Sequence, residues 1–100
     1  MIRHIVMFKM KESAEGADKS ENLNKLKSGL GSLVGMIPEI RSFDVGQDVL
    51  NTAFSYDLVL CSEFDSKDDL FRYQKHPEHV KIAEFVGKVC ASRVVVDYTA

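Results

Sequence analysis

The chain predicts an α+β domain of βαββαβ order, the ferredoxin-like arrangement of an antiparallel sheet with two helices on one face. Three observations carry this. Four stretches read as strands, at 2–10, 40–49, 56–64 and 93–98, their side chains dividing between two faces with a period of two. Two others, opened by capping residues, repeat apolar residues at spacings of three, four and seven. The elements follow one another over 100 residues without a linker or low-complexity tract, so residues 1–100 make one domain.

The first strand, Ile2 to Met10, places Ile2, His4, Val6, Phe8 and Met10 on one face and Ile5 and Met7 on the other, beside Arg3 and Lys9. Residues 11–17 read as a polar loop. Asp18-Lys19-Ser20-Glu21 has the form of a capping box, an acceptor side chain followed three residues later by a glutamate. The helix it opens carries Leu23, Leu26, Leu30, Leu33, Val34 and Ile37 as one buried stripe and ends at Pro38. Gly29, Gly31 and Gly35 weaken that helix by about 1 kcal/mol each where exposed, and leave room for close approach to the sheet or a partner.

Ile40 to Val49 reads as the second strand, with Gly46 at a bulge. Asn51-Thr52-Ala53 is a loop. In the third strand Tyr56, Leu58, Leu60 and Phe64 share a face opposite Val59 and Cys61. Ser66 caps the next helix, and Asp68 and Asp69 suit its positive end. That helix carries Leu70, Phe71 and Tyr73 to a break at His76-Pro77. A residue before proline is pushed out of the helical region, and proline suits the first position of a new helix. The helix therefore restarts at Pro77 with Ile82, Phe85, Val86 and Val89 as its apolar stripe. In the last strand Val94, Val96 and Tyr98 share one face, Val95 and Asp97 the other.

Right-handed crossovers make the first and last strands antiparallel neighbours, which sets His4 near Asp97. They also leave Ile5, Met7, Val94, Val96 and Tyr98 on a face that no helix covers. An apolar face of that kind is an interaction patch, so the expected partner is a second copy, sheet on sheet. A net charge of -2, from 13 basic and 15 acidic residues, gives no electrostatic case for nucleic acid or an acidic membrane. Cys61 and Cys90 stand alone without metal-ligand spacing, and the N-terminus reads as strand with no apolar run for a signal peptide or membrane span. A cytoplasmic chain without a cofactor is the expectation.

The chemistry concentrates in Tyr73-Gln74-Lys75-His76-Pro77-Glu78-His79, which holds two of the three histidines. Together with His4-Ile5-Val6-Met7-Phe8-Lys9 and Val96-Asp97-Tyr98, this stretch resembles the stress-responsive dimeric α/β-barrel (Dabb) family over essentially the whole chain. The resemblance implies a ferredoxin-like protomer and a barrel-forming homodimer. It also implies roles, through a plant polyketide cyclase of that family that closes a linear chain by an intramolecular aldol condensation without a cofactor. On that footing His79 is a general base and Tyr73 donates a hydrogen bond to a developing oxyanion. His4 is a pocket histidine oriented by Asp97, and His76 lies beside them. Imidazole exchanges protons near neutral pH, a carboxylate behind it fixes its tautomer, and a neutral phenol can donate where charge develops. At the cyclase's first-helix pocket aromatics this chain has Leu26, Lys27 and Leu30, so the acyl-binding end differs.

Each residue also has a plainer reading. His79 reads equally as a half-exposed helical histidine, Tyr73 as a ring buried at a helix break, and His76 as a partner for backbone freed at the kink. His4 and Asp97 read as a buried histidine satisfied by a carboxylate. A metal site built from His4, His76 and His79 has suitable ligand types but no cysteine to complete it, and no metal is expected. The leading function is binding of a small carbonyl or phenolic molecule, with polyketide-cyclase-like proton transfer at the same site. The alternatives are a non-catalytic stress-linked homodimeric module and, on fold analogy alone, a cofactor-free monooxygenase or isomerase.

Overall fold

Alternation in the first strand organises the sheet. In a computed structural model describing residues 1–100, β1 (Ile2–Met10) buries His4, Val6, Phe8 and Met10 and turns Arg3, Met7 and Lys9 outward. β1 is central. It pairs antiparallel with β5 (Leu58–Phe64) on one side and with β6 (Cys90–Thr99) on the other, and β4 (Ser42–Gln47) adds to the far edge of β5. The spatial order β4-β5-β1-β6 leaves β4 and β6 as edges.

Between β1 and the first helix, the stretch expected to be a polar loop folds as a small hairpin, β2 (Ser13–Ala14) with β3 (Ala17–Asp18). Glu15 and Gly16 both have positive φ, 52° and 72°, the geometry a two-residue hairpin turn requires. Asn22 fastens the hairpin to the helix by donating from Nδ2 to the Ala14 carbonyl at 2.9 Å. α1 (Lys19–Ser32) is capped as expected, the Asp18 carboxylate accepting from the Glu21 N–H. Its α-helical part ends earlier than Pro38, passing into a 3₁₀ turn over Leu33–Gly35. That tightening rotates the stripe. Leu33 and Ile37 stay in the core, while Val34, expected among them, is exposed.

β4 is shorter than the expected second strand, and its register against β5 runs unbroken through Gly46 opposite Val59. Gly46 is therefore no bulge. A Cβ there would sit 3.3 Å from Val59 Cγ1, which accounts for the small residue. The one register shift in the sheet falls between Lys9 and Met10, against β6. Tyr56 precedes β5 rather than opening it.

α2 (Lys67–Lys75) and α3 (Pro77–Val89) are one helix broken at His76, whose φ of -60° and ψ of 134° are extended. Ser66 caps α2 through the Asp69 N–H. α1 and α3 touch closely at Gly29, where an added Cβ would lie 2.6 Å from Ile82 Cδ1. The core is built from the inward rows of β1 and β5 together with Leu23, Leu26, Leu30, Leu70, Tyr73, Val86 and Val89. Phe71 points away from it. All helices lie on that side of the sheet. Met7, Val94, Val96 and Tyr98 on the other side are exposed. No helix is long and apolar enough to cross a membrane.

Candidate functional site

The break at His76 aims two aromatic rings at the same place. α2 carries Tyr73 in its last turn and α3 carries His79 in its first, so the two ring centroids lie 4.5 Å apart. His76 makes the break. Its Nδ1 accepts from the Glu78 N–H at 3.1 Å, so it caps α3 and does not join His4, Tyr73 and His79 around the cavity they border. A proline at the first position of α3 removes an N–H that would otherwise lack a partner.

Tyr73 is fully buried, its ring tilted against Phe64 with centroids 4.9 Å apart and edge-on to His4 and Phe43 at 6.2 Å. Its hydroxyl has no hydrogen-bond partner within the chain. A buried hydroxyl without a partner costs roughly 1–3 kcal/mol. Burial also pushes its pKa well above the ordinary phenol value, so the group is a neutral donor.

His79 is half-buried. The Gln74 carbonyl lies 3.0 Å from its Nδ1, and a carbonyl only accepts, so Nδ1 carries the proton and Nε2 keeps its lone pair. Burial lowers the His79 pKa from 6.5; the Gln74 carbonyl opposes this, and the nearby charges of His4, Arg93 and His76 add to it. The imidazole is neutral at pH 7.

His4 comes from the opposite wall. The β1–β6 register pairs it with Asp97, and its Nδ1 lies 2.5 Å from Asp97 Oδ1. The imidazole is 6% exposed and the carboxylate 40%, so the charge stays hydrated while the ring is held inside. With Nδ1 committed to the carboxylate, Nε2 is turned toward the interior.

These groups border a cavity of about 280 Å³ between sheet and helices, just below the usual lower bound of about 300 Å³ for ligand pockets. Val6, Phe8, Leu30, Leu60, Ile82 and Val86 are among its apolar lining, and the polar groups are His4, Tyr73, Gln74, His79 and Arg93. Three sequence-predicted residues, His4, Tyr73 and His79, thus meet on one cavity, with Asp97 behind His4. Arg93 and Gln74 went unnoticed in the sequence. The available signal was parity: Arg93 is even-spaced from Val95 and Asp97 on the last strand and so shares their face. Leu30 lines the wall as the resemblance placed it, whereas Leu26 is sealed in the core. Lys27 points toward Gln47 on β4.

An open-faced sheet under helices, with a small cavity holding two histidines and a tyrosine, defines a ferredoxin-like domain with a candidate small-molecule site. The chain matches the stress responsive A/B barrel domain family over residues 2–100 and belongs to it. It is 32% identical, over its whole length, to a stress-response A/B barrel domain-containing protein of Arabidopsis thaliana, and spans 37% of that protein. An uncharacterized Streptomyces coelicolor protein is 30% identical, with 98% of each chain covered. A solved dimeric protein of ferredoxin-like fold from Bacteroides fragilis superposes with a TM-score of 0.82 at 33% identity, covering 99% of this chain and 95% of that one.

Proposed function

We propose that this chain forms a homodimer through the bare sheet face and binds a small carbonyl or phenolic molecule in the cavity bounded by His4, Tyr73 and His79. The observation that carries the reading is that His4, Tyr73 and His79 line one mainly apolar cavity, with the Tyr73 hydroxyl unpartnered and the His79 Nδ1 engaged by the Gln74 carbonyl so that Nε2 keeps its lone pair. Apolar walls with a few converging polar groups are what a small organic ligand requires. The dimer is supported by the exposed row Met7, Val94, Val96 and Tyr98 and by the dimeric Bacteroides relative.

The same arrangement supports cofactor-independent proton transfer. His79 Nε2 takes a proton from the carbon next to a bound carbonyl, and the enolate oxygen that forms accepts a hydrogen bond from Tyr73. The imidazolium then returns the proton to carbon or oxygen. Asp97 holds His4 in one tautomer, leaving its Nε2 to orient the ligand. The alternative reading, a non-catalytic assembly module, is favoured by the complete burial of Tyr73.

Tyr73→Phe separates the two. A structural tyrosine loses about 1 kcal/mol with its hydrogen bond, whereas this hydroxyl has none to lose, so the variant should melt at or above the wild-type temperature. Ligand binding should fall about tenfold, read from the histidine NMR resonances against a panel of phenolic and 1,3-dicarbonyl compounds. His79→Ala should abolish those shifts while leaving the chain folded. A panel that moves none of the three histidine resonances would return the protein to the assembly-module reading.

A further inference from the structure

The rim of the cavity carries one positive charge with no role in ligand binding so far, that of the exposed Arg93. Arg93 lies on β6 opposite Phe8, two residues before Val95 and four before Asp97, on the strand face that borders the cavity. The other arginines of the chain are engaged. Arg3 pairs with Glu63, Arg41 with Asp65, and Arg72 with Asp69. Arg93 has no ion pair and no side-chain hydrogen bond, although it borders a mainly apolar cavity. Its nearest carboxylate neighbour along the same strand face, Asp97, is already held by His4. The charge also reaches the reacting end, where it is one of the influences that keep His79 neutral.

We propose that Arg93 is a specificity residue that selects a monoanionic ligand, a small keto acid or acidic phenol whose carboxylate docks on the guanidinium. The cavity's geometry gives such a ligand an orientation. Arg93 and Val95 stand on β6, with Phe8 opposite Arg93 on β1, while Tyr73 and His79 stand on the helix side. A carboxylate held at β6 directs the rest of the molecule across the apolar space, and its carbonyl oxygen arrives at the Tyr73 and His79 side. A guanidinium fork matches a carboxylate with two parallel hydrogen bonds, which a lysine ammonium does not reproduce. The small volume limits the ligand to about one ring and a short chain beyond the acid. A neutral dicarbonyl of the same shape fits the cavity but leaves Arg93 unanswered.

The assignment rests on the ligand-binding reading of the cavity, and the test separates the two. The probes are 4-oxo-4-phenylbutanoate and its primary amide, equal in shape and different in charge. Binding is followed by calorimetry and by the His4 and His79 NMR resonances, at low and at physiological salt. The acid should bind the wild type at least about tenfold more tightly than the amide, with a preference that shrinks as salt rises. Arg93→Gln should bring that ratio to near one, the loss falling mainly on the acid, and Arg93→Lys should restore part of it. Arg93 is exposed, so both variants should fold as the wild type does. Equal binding of acid and amide to the wild type, or an acid preference that survives Arg93→Gln, overturns the role of Arg93 and leaves the pocket standing. Failure of both probes to move either histidine overturns the pocket reading and the Arg93 assignment with it.

Discussion

The two faces of the sheet are built from the same alternating strands and have opposite fates. On the helix side, the inward residues of β1 and β5 are sealed beneath α1, α2 and α3, and Phe64 is completely buried. On the other side, Val94, Val96, Met7 and Tyr98 are as apolar and stand exposed. The strands cannot account for the difference, because a period of two supplies both rows at once. What decides it is the handedness of the crossovers, which puts every helix on one side. One face therefore belongs to the protomer's own stability, and the other is the one proposed above for its association. The cavity lies on the first, its edge formed by the exposed strand β6.

That division can be tested from the inside outward. Phe64→Ala should have the largest effect, about 3–5 kcal/mol of protomer stability in denaturant unfolding, because a fully buried ring leaves a void beside Tyr73. Val96→Asp should act on the other face. Protomer stability should change by no more than about 0.5 kcal/mol, while the dimer dissociation constant rises on the order of 100-fold in sedimentation, as a charge is forced into an apolar contact. Equal loss of protomer stability from both substitutions would show that the faces are not independent.

The smallest effect is a dependence on pH. His79 has a folded-state pKa below its ordinary 6.5. Above that pH it is neutral in the folded and unfolded chain and contributes nothing. As pH falls through 6.5 the unfolded chain takes up the proton first, so stability declines until the folded-state pKa is passed and is constant below it. Comparing melting temperatures from about pH 7.5 to about pH 5 in the wild type and in His79→Gln isolates this slope, which the variant should lack. A slope shared by both would assign the acid sensitivity to another group.

The local signals read well where they were chemical. The Asp18 and Ser66 caps, the break before Pro77 and the closeness allowed by Gly29 all appear in the fold as the residues imply. They misled where one pattern had two solutions. Val34 fits the helical stripe only while the helix keeps its period, and the 3₁₀ turn at Leu33–Gly35 carries it to the surface. Gly46 signals either a bulge or a close neighbour, and the neighbour is Val59. The Glu15-Gly16 hairpin was too short for any periodicity to mark.

For the site, the break that turns Tyr73 toward His79 and the strand parity that faces His4 and Asp97 are legible in the chain, since proline stereochemistry and a period of two are local properties. The cavity was decided by tertiary structure alone. Whether Tyr73, His79, His4 and Arg93 border open space or packed side chains depends on the separation of α3 from the sheet. That separation is set by side-chain volumes drawn from every element at once, and no local pattern in the chain encodes it.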